Sequence, residues 1–213
     1  MGQKLFITAQ PERYARDLKS FGFNICSFRK ESRYELVMSG LLERAIAHAP
    51  GNEHAMIDST MVSVHQHRAG AKGRYADGKA IGRSKGRSST KIYALTDALG
   101  NPLAFHLSPG QACNLDGSDV LLEELEAKRL LANKGDDADE RVIQRLEQVD
   151  KKPVIPPKRN RCEPRKYDSE LYKAQHLIEN FFARLKQSWA IATRYDMLAE
   201  SFLGAIYLAA TVV

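Results

Sequence analysis

The chain has 213 residues, of which 43% are hydrophobic and 27% charged, the proportions of an ordinary globular protein. A formal net charge of +6 and an isoelectric point near 9.2 favour an acidic partner, and nucleic acid is the commonest such partner. The apolar stretch at 202–213 is too short to span a bilayer and no signal peptide opens the chain, so we expect neither a membrane protein nor a secreted one.

Basic residues cluster in two stretches. Residues 68–91 hold eight basic side chains and one acid, and residues 151–194 hold eleven against four, whereas 116–150 is acid-rich. The pattern predicts two basic patches, although such surfaces also occur in proteins that bind no nucleic acid. The three cysteines are far apart in the sequence, which favours a reducing cytoplasm and predicts no disulfide framework.

The first quarter of the chain is weakly patterned. Residues 1–50 contain possible helices at 12–20 and 34–48, and a turn signal at 51–52 separates them from a more regular remainder. We therefore divide the chain into an N-terminal region, residues 1–50, and a main domain, residues 51–213.

The main domain begins with a strand, a basic loop and a hairpin. Residues 55–65 form an apolar, β-branched run around one acid, Asp58, the pattern of a largely buried strand. That carboxylate must be paired, protonated or bound to a cation, because an isolated buried charge is very costly. A loop rich in Gly, Lys, Arg and Ser follows over 68–90, and residues 91–107 predict a hairpin that turns at Gly100-Asn101.

Helices and two short strands complete the predicted fold. Helices are expected at 116–128, 137–148, 168–187 and from about 197, and strands at 129–133 and 153–156. This order predicts an α/β protein, a mixed sheet with helices on its faces. Because ligands of such sheets gather at the carboxyl ends of the strands, Asp58 and Asn133 are expected to lie near each other.

The segment at 168–187 combines an apolar seam with a polar stripe. The seam consists of Leu171, Ala174, Ile178, Phe181 and Leu185, at helical spacing. Tyr172, Gln175, Glu179 and Lys186 fall on a neighbouring stripe of the same helix. On spacing alone these four could be boundary residues that pair with their neighbours, or they could surround a site.

Acids that converge at the sheet edge would suit divalent cations. If Asp58, the strand end at Asn133 and Glu179 meet, their oxygens are the ligands that Mg²⁺ prefers. Two such ions can activate a water and stabilise a leaving oxygen at phosphorus, and the basic stretches would hold the DNA backbone. Spacing alone makes this a weak signal.

Other polar residues have plainer interpretations. Two histidines at the end of the first strand lack partners at zinc spacing, so a solvated or DNA-facing role is preferred for them. Asp97, Asp116 and Asp119 are interpreted as turn and cap residues. We expect Trp189 in the core.

Five strings of the main domain occur together in a recognisable order. They are Met56-Ile-Asp-Ser-Thr60, His65-Gln-His-Arg-Ala-Gly-Ala-Lys-Gly73, Thr90–Leu103, Val154–Asn160 and Tyr172–Lys186. Over about residues 50–213 the chain resembles insertion-sequence transposases of the DDE type, in particular the IS-five branch of the IS-four superfamily. The resemblance implies an RNase H-like catalytic domain, a mixed sheet flanked by helices, that cuts and joins DNA at terminal inverted repeats.

The resemblance also implies roles for individual residues. Asp58 matches the family's first catalytic Asp and Glu179 its catalytic Glu, and both would hold Mg²⁺ or Mn²⁺. Tyr172, Glu179 and Lys186 match the Tyr-x2-Arg-x3-Glu-x6-Lys signature, in which Lys186 would contact phosphate near the cleavage point and Tyr172 would position the nucleic acid. The expected DNA-binding residues are Tyr172, Gln175, Lys186, Lys72, Arg83, Lys85, Arg87, Lys158 and Arg159.

The chain departs from the family pattern at two site positions. Asn133 stands where the second catalytic Asp is expected, and an amide can offer a metal an oxygen but no charge. Gln175 stands where the signature has Arg, which loses a bidentate contact to phosphate. Asp136 or Asp137 could substitute for the missing acid, although both lie beyond the strand end.

Two function hypotheses follow. One is a metal-dependent transposase that nicks DNA and then directs a 3′-hydroxyl at target DNA, as a dimer on DNA in a prokaryotic cytoplasm, associated with the nucleoid when bound. The other is a catalytically inactive remnant that acts only as a basic DNA-binding protein. A degenerate copy would explain Asn133 and Gln175, a partial helical DNA-binding region at 1–50, and a chain that stops inside an apolar helix at Val213.

Overall fold

The structure is a computed structural model that describes residues 53–66, 79–84, 86–123, 125–158 and 165–213. The predicted N-terminal region and its two helices lie outside these residues, as do Lys72, Lys85 and Arg159. Among the described residues, no helix has the length and apolar character needed to cross a bilayer.

The described residues form one mixed sheet with helices packed on it. Its strands are β1 (His54–Val64), β2 (Gly82–Ser84), β3 (Arg87–Asp97), β4 (Pro102–Pro109), β5 (Arg129–Ala132), β6 (Lys152–Val154) and β7 (Thr193–Arg194). The helices are α1 (Asn114–Leu122), α2 (Gln144–Gln148), α3 (Ser169–Tyr172), α4 (His176–Leu185), α5 (Trp189–Ala192) and α6 (Ala199–Ala210). Short 3-10 turns at Lys134–Asp136 and Lys173–Gln175 and a π turn at Asp139–Ile143 connect them.

The long strand β1 lies at the centre of the sheet. It pairs antiparallel with β3 and parallel with β5, and β5 continues parallel to β6 at one edge. In β3, Tyr93 pairs with Ser59 of β1 and with His106 of β4, so β4 lies on the side of β3 away from β1. The order β4-β3-β1-β5-β6, with helices on both faces, confirms the predicted RNase H-like mixed sheet.

Both faces of the sheet are buried beside β5 and the first half of β1, which explains the apolar runs at 55–57 and 130–132. Met56 and Leu131 pack with Ile178 of α4 and Phe202 of α6 on one face. Their strand neighbours, including Ile57, belong to a second cluster on the other face. The seam predicted for 168–187 lies against the first of these clusters, so its interpretation as a buried helix face is confirmed.

The basic segment at 68–90 is not a loop throughout. Residues 82–84 and 87–90 form β2 and the start of β3, which pair with each other around Gly86. Gly86 has φ +79°, a conformation that glycine adopts without strain. The composition of the segment predicts a loop, but backbone pairing to the neighbouring strand decides its structure.

Two predicted helices also differ from the structure. The helix expected at 116–128 begins at Asn114 and ends at Leu122, and Cys113 is its N-cap. Asp116 is therefore not the N-cap. It is the third residue of the helix and accepts a hydrogen bond from Cys113 N at 3.2 Å in a capping box. The segment at 168–187 is divided by the 3-10 turn at Lys173–Gln175, so it is not one continuous helix.

The turn between β3 and β4 is organised by a buried acid. Asp97 is 2% exposed, and its carboxylate accepts hydrogen bonds from the backbone N–H groups of Leu99 and Asn101, both at 2.8 Å. The side chain of Asn101 donates a third at 2.9 Å, and Gly100 has φ +87°. The turn interpretation of Asp97 is therefore confirmed.

Replacing Asp97 by alanine should lower the free energy of unfolding by about 2 kcal/mol, because three donors of the turn lose the acceptor that orders them. Asp97→Asn should cost less, since one oxygen remains to accept. Urea denaturation monitored by circular dichroism measures both. Glu126→Ala, at an exposed site, is the control, and an Asp97→Ala effect no larger than that control would contradict this account of the turn.

Candidate active site

The site is built around Asp58 on β1. Side-chain alternation places Asp58 on the same face as Met56 and Val62, the face that packs against α4. Its Oδ1 atom accepts a hydrogen bond from the backbone N–H of Ser59 at 2.7 Å. The carboxylate therefore lies beneath the helix that carries Glu179.

Asn133 lies directly beside Asp58. Parallel pairing aligns Ile57 of β1 with Ala132 of β5, so the residue that follows each of them meets its counterpart at the sheet. The Nδ2 atom of Asn133 donates a hydrogen bond to Asp58 Oδ1 at 2.6 Å. The prediction that Asp58 and Asn133 lie near each other is confirmed.

Tyr172 extends this pair into a chain of three side chains. The hydroxyl of Tyr172 donates a hydrogen bond to Asn133 Oδ1 at 3.2 Å. Tyr167 packs edge-on against the Tyr172 ring, with 5.8 Å between ring centroids. The phenol predicted to position nucleic acid thus holds Asn133 in place, and through it Asp58.

Electrostatics differ between the groups of the site. Burial raises the pKa of Asp58 to about 6. Hydrogen bonds from Ser59 and Asn133 oppose that rise, whereas the negative charges of Asp136 and Glu179 add to it. Asp58 is therefore largely ionised at neutral pH, but the folded protein stabilises its charge poorly.

Glu179 is the second carboxylate of the site. It lies in the first turn of α4, which packs against β1, and its side chain is exposed. Its charge acts on both Asp58 and the Tyr172 hydroxyl. Burial, followed by the charges of Asp58 and Glu179, raises the pKa of Tyr172, so the phenol remains protonated as a donor.

Gln175 lies inside the protein. It is 3% exposed, and its Nε2 atom donates a hydrogen bond to the backbone carbonyl of Ile57 at 3.2 Å. Its Oε1 atom is buried and has no hydrogen-bond partner among the described residues. Gln175 was predicted to contact DNA, whereas in the structure its amide is buried against β1.

The two aspartates considered as substitutes for the missing acid have other partners. Asp136 is 4% exposed and accepts a hydrogen bond from Ser118 Oγ at 2.7 Å. Asp137 accepts one from the backbone N–H of Lys158 at 2.9 Å and lies 3.7 Å from the Arg165 guanidinium. The backbone of Asn133 also donates a hydrogen bond to the Asp136 carboxylate, and the charge of Asp136 acts on Asp58.

The predicted DNA-binding cations lie in different surroundings. Lys186 follows α4 and is half-buried, and burial lowers its pKa. The ammonium of Lys158 donates a hydrogen bond to the carbonyl oxygen of Asp137 at 2.9 Å, so this side chain also has a structural contact within the protein. Arg83 and Arg87 are exposed and line a groove at the end of β1.

Sequence reasoning also misplaced Trp189 and did not identify Lys91. Trp189, expected in the core, is 88% exposed, because Ile191 supplies the buried side chain of the short helix α5. Lys91 is buried, and its ammonium donates to the carbonyl of Ala112 at 2.6 Å and to Asn114 Oδ1 at 2.8 Å. A lysine in an alternating strand gives no sequence signal of such an inward position.

The donor set fits a hard divalent cation. Among the described residues, no group of three or more His, Cys, Asp or Glu side chains could hold a metal ion. Asp58 and Glu179 nevertheless supply two carboxylates at one place, and the neighbouring Asn133 has an amide oxygen. Oxygen donors of this kind suit Mg²⁺ and Mn²⁺ and do not suit a thiol-seeking metal.

Comparison with known proteins gives matches of two kinds. The transposase DDE domain model matches residues 49–212. A Brucella ovis protein assigned as the transposase for insertion sequence element IS6501 is 30% identical over 129 residues, which are 59% of this chain and 97% of the relative.

Two solved structures give weaker matches. The Mos1 strand transfer complex matches at 12% identity and a TM-score of 0.41, over 95% of this chain and 69% of that one. The catalytic domain of Mos1 mariner transposase matches at 13% identity and a TM-score of 0.31, over 87% and 90%. The description of the fold depends on the strand order and not on these superpositions.

Proposed function

The chain belongs to the family of DDE transposases, and we propose that it is the transposase of an insertion sequence of the IS-five branch of the IS-four superfamily. In this proposal it cuts DNA at the terminal inverted repeats and joins the released 3′-hydroxyl to target DNA. The observation that supports it is the chain of hydrogen bonds from Tyr172 to Asn133 to Asp58, together with the charge of Glu179 that acts on Asp58.

Each site residue has a role that its contacts allow. Asp58 and Glu179 would hold Mg²⁺ or Mn²⁺, and a bound ion supplies the positive charge that activates a water and stabilises a leaving oxygen at phosphorus. Asn133 orients Asp58, and Tyr172 orients Asn133. Lys186, at the end of α4, would contact a phosphate near the cleaved bond.

DNA is the proposed partner, and the proposed assembly is a dimer on DNA. Arg83 and Arg87 are exposed cations on the β2–β3 hairpin, and Lys72, Lys85, Lys158 and Arg159 are further proposed DNA contacts. Residues 1–50 would form a partial DNA-binding region ahead of the catalytic domain at 51–213. Binding to DNA would place the protein at the nucleoid.

A double variant, Arg83→Gln with Arg87→Gln, should weaken the salt dependence of DNA binding. Each lost phosphate contact should reduce the slope of log affinity against log salt by about 0.9, so the two together by about 1.8. Fluorescence anisotropy with an inverted-repeat duplex, at several salt concentrations, measures the slope. Arg145→Gln, at an exposed arginine of α2, is the matched control, and equal slopes in all three proteins would remove this hairpin from the interface.

A second candidate is a remnant that binds DNA without cutting it. Two observations favour it: Asn133 brings no charge to the site, and Gln175 is buried where the family signature has a cation. Such a protein could still occupy inverted repeats and compete with intact copies.

Strand cleavage of an inverted-repeat duplex by the purified chain decides between these functions. Under the first proposal, the wild-type chain cuts with Mg²⁺ or Mn²⁺, and Asp58→Ala does not. Under the second, the wild type binds without cutting, and Asn133→Asp restores cleavage. Adding Gln175→Arg to that variant tests whether a cation can leave the buried position. If none of these proteins cuts, the nuclease function is wrong for this chain.

A further inference from the structure

We propose that this chain binds one divalent cation, and that Asn133 sets that number by acting as a hydrogen-bond donor to Asp58 and not as a metal ligand. The inference rests on the proposed function, because it concerns the same site, and it goes beyond that function by fixing the number of ions. It follows from the direction of hydrogen bonds and from the charge of the site.

The hydrogen bonds fix how the Asn133 amide is turned. An ionised carboxylate only accepts hydrogen bonds, so the Asn133 group 2.6 Å from Asp58 Oδ1 must be the NH₂ group. The amide oxygen then faces the Tyr172 hydroxyl, which donates to it at 3.2 Å. Asn133 thus offers the Asp58 carboxylate a hydrogen-bond donor. An aspartate at this position would instead offer a carboxylate oxygen that could bind a cation.

The same contacts leave one oxygen of Asp58 for a metal. Oδ1 receives two hydrogen bonds, from the backbone N–H of Ser59 at 2.7 Å and from Asn133. Gln175 holds the preceding carbonyl, Ile57 O, at 3.2 Å, which fixes the backbone that carries the carboxylate. A cation shared with Glu179 would therefore bind Oδ2, and a second ion would have to displace the Asn133 donor from Oδ1.

The charge of the site also predicts one bound ion. Asp58 and Glu179 together carry two negative charges, which balance one divalent ion and leave a second one unbalanced in a partly buried site. The charge of Asp136 also acts on Asp58, but two lysines near Asp136 offset it. Its carboxylate accepts a hydrogen bond from Ser118, and the charges of Lys158 and Lys91 act on it.

Mn²⁺ binding to the full chain without DNA tests the proposal. Electron paramagnetic resonance of unbound Mn²⁺ gives the number of ions bound, with one expected for the wild type and two for Asn133→Asp. Gln148→Glu adds the same charge on the exposed surface of α2 and should still bind one. Asp58→Ala should bind none, which assigns the ion to this site.

The spectrum of bound Mn²⁺ provides a second measurement that does not need the Asn133→Asp variant to fold. Saturated wild type should show an isolated ion, whereas two ions about 4 Å apart would show spin coupling. Two bound ions or a coupled spectrum in the wild type would overturn the proposal, as would one ion in a folded Asn133→Asp variant. Absence of DNA cleavage with one ion bound would instead count against the proposed nuclease function alone.

Discussion

Replacing Arg194 by methionine is expected to lower the free energy of unfolding by about 3–5 kcal/mol. Arg194 is 0% exposed, and burial lowers its pKa to about 10, so it stays charged at neutral pH. Its guanidinium lies over the Phe202 ring at 4.9 Å and donates to Thr90 Oγ1 at 2.7 Å. Methionine matches the apolar stem but removes the donor from the carbonyls of Asp196 and Met197, whereas Ala80 O keeps the hydroxyl of Thr90 at 2.8 Å.

The effect should be large because the arginine connects separate parts of the chain. Besides Thr90 of β3, it donates to the carbonyl of Ala80 at 3.4 Å, ahead of the β2–β3 hairpin, and to those of Asp196 at 3.0 Å and Met197 at 3.2 Å, ahead of α6. Losing these contacts removes hydrogen bonds from three segments at once. The hairpin that carries the proposed DNA contacts should become the most mobile of them.

Urea denaturation of Arg194→Met measures the loss, and Arg184→Met at an exposed arginine of α4 serves as the matched control. The control should change the free energy of unfolding by less than about 0.5 kcal/mol. Arg194→Lys should fall between the two, because a lysine keeps the charge but reaches fewer acceptors. Similar values for Arg194→Met and the control would show that these hydrogen bonds contribute little.

The sheet could be predicted because its central strands are unusual in sequence. β5 and the first half of β1 contain short apolar runs, and such runs form where both faces of a strand are covered. The adjacency of Asp58 and Asn133 was also predicted, although Asp58 lies in the middle of β1 and not at its carboxyl end. The parallel register with the shorter β5 brings the two residues together. The fold and the centre of the site were thus accessible from local patterns.

Local patterns did not predict which polar residues are buried. Periodicity gives a residue's angle around a helix but not how closely that face approaches the sheet, and the 3-10 turn at Lys173–Gln175 changes the angle itself. Gln175 was therefore expected at the surface and lies inside. Arg194 gave no signal either, because a charged side chain is buried only where neighbours supply acceptors, and those neighbours are distant in sequence.

The β2–β3 hairpin and Trp189 were mispredicted for related reasons. Composition indicated a loop at 68–90, but pairing with an existing strand can impose β structure on a basic segment that has little preference of its own. Trp189 was assigned to the core by its size. In a helix of one turn only one side reaches the core, and Ile191 occupies it.

Without divalent cations, Asp58→Asn should raise the free energy of unfolding at pH 7.5. The folded pKa of Asp58 is about 6, above its ordinary value of 3.8. The folded protein therefore binds this proton more tightly than the unfolded chain does. The contribution of the protonated group to the free energy of unfolding is complete below pH 4 and is lost as the pH rises through 6. A rise of that size corresponds to roughly 3 kcal/mol, and the partial exposure of the site reduces the expected gain to about 2 kcal/mol.

Magnesium should reverse the order of the two proteins. A cation that binds only the folded wild type at a hundred times its Kd adds about 2.7 kcal/mol, whereas Asp58→Asn gains little because it has lost a ligand. Urea denaturation at pH 4 and 7.5, with chelator and with Mg²⁺, measures this crossover, and Glu147→Gln on the exposed surface of α2 is the control. Equal stability of wild type and Asp58→Asn at pH 7.5 in chelator would mean that the buried carboxylate costs the fold nothing. An equal response to Mg²⁺ would mean that the cation binds elsewhere.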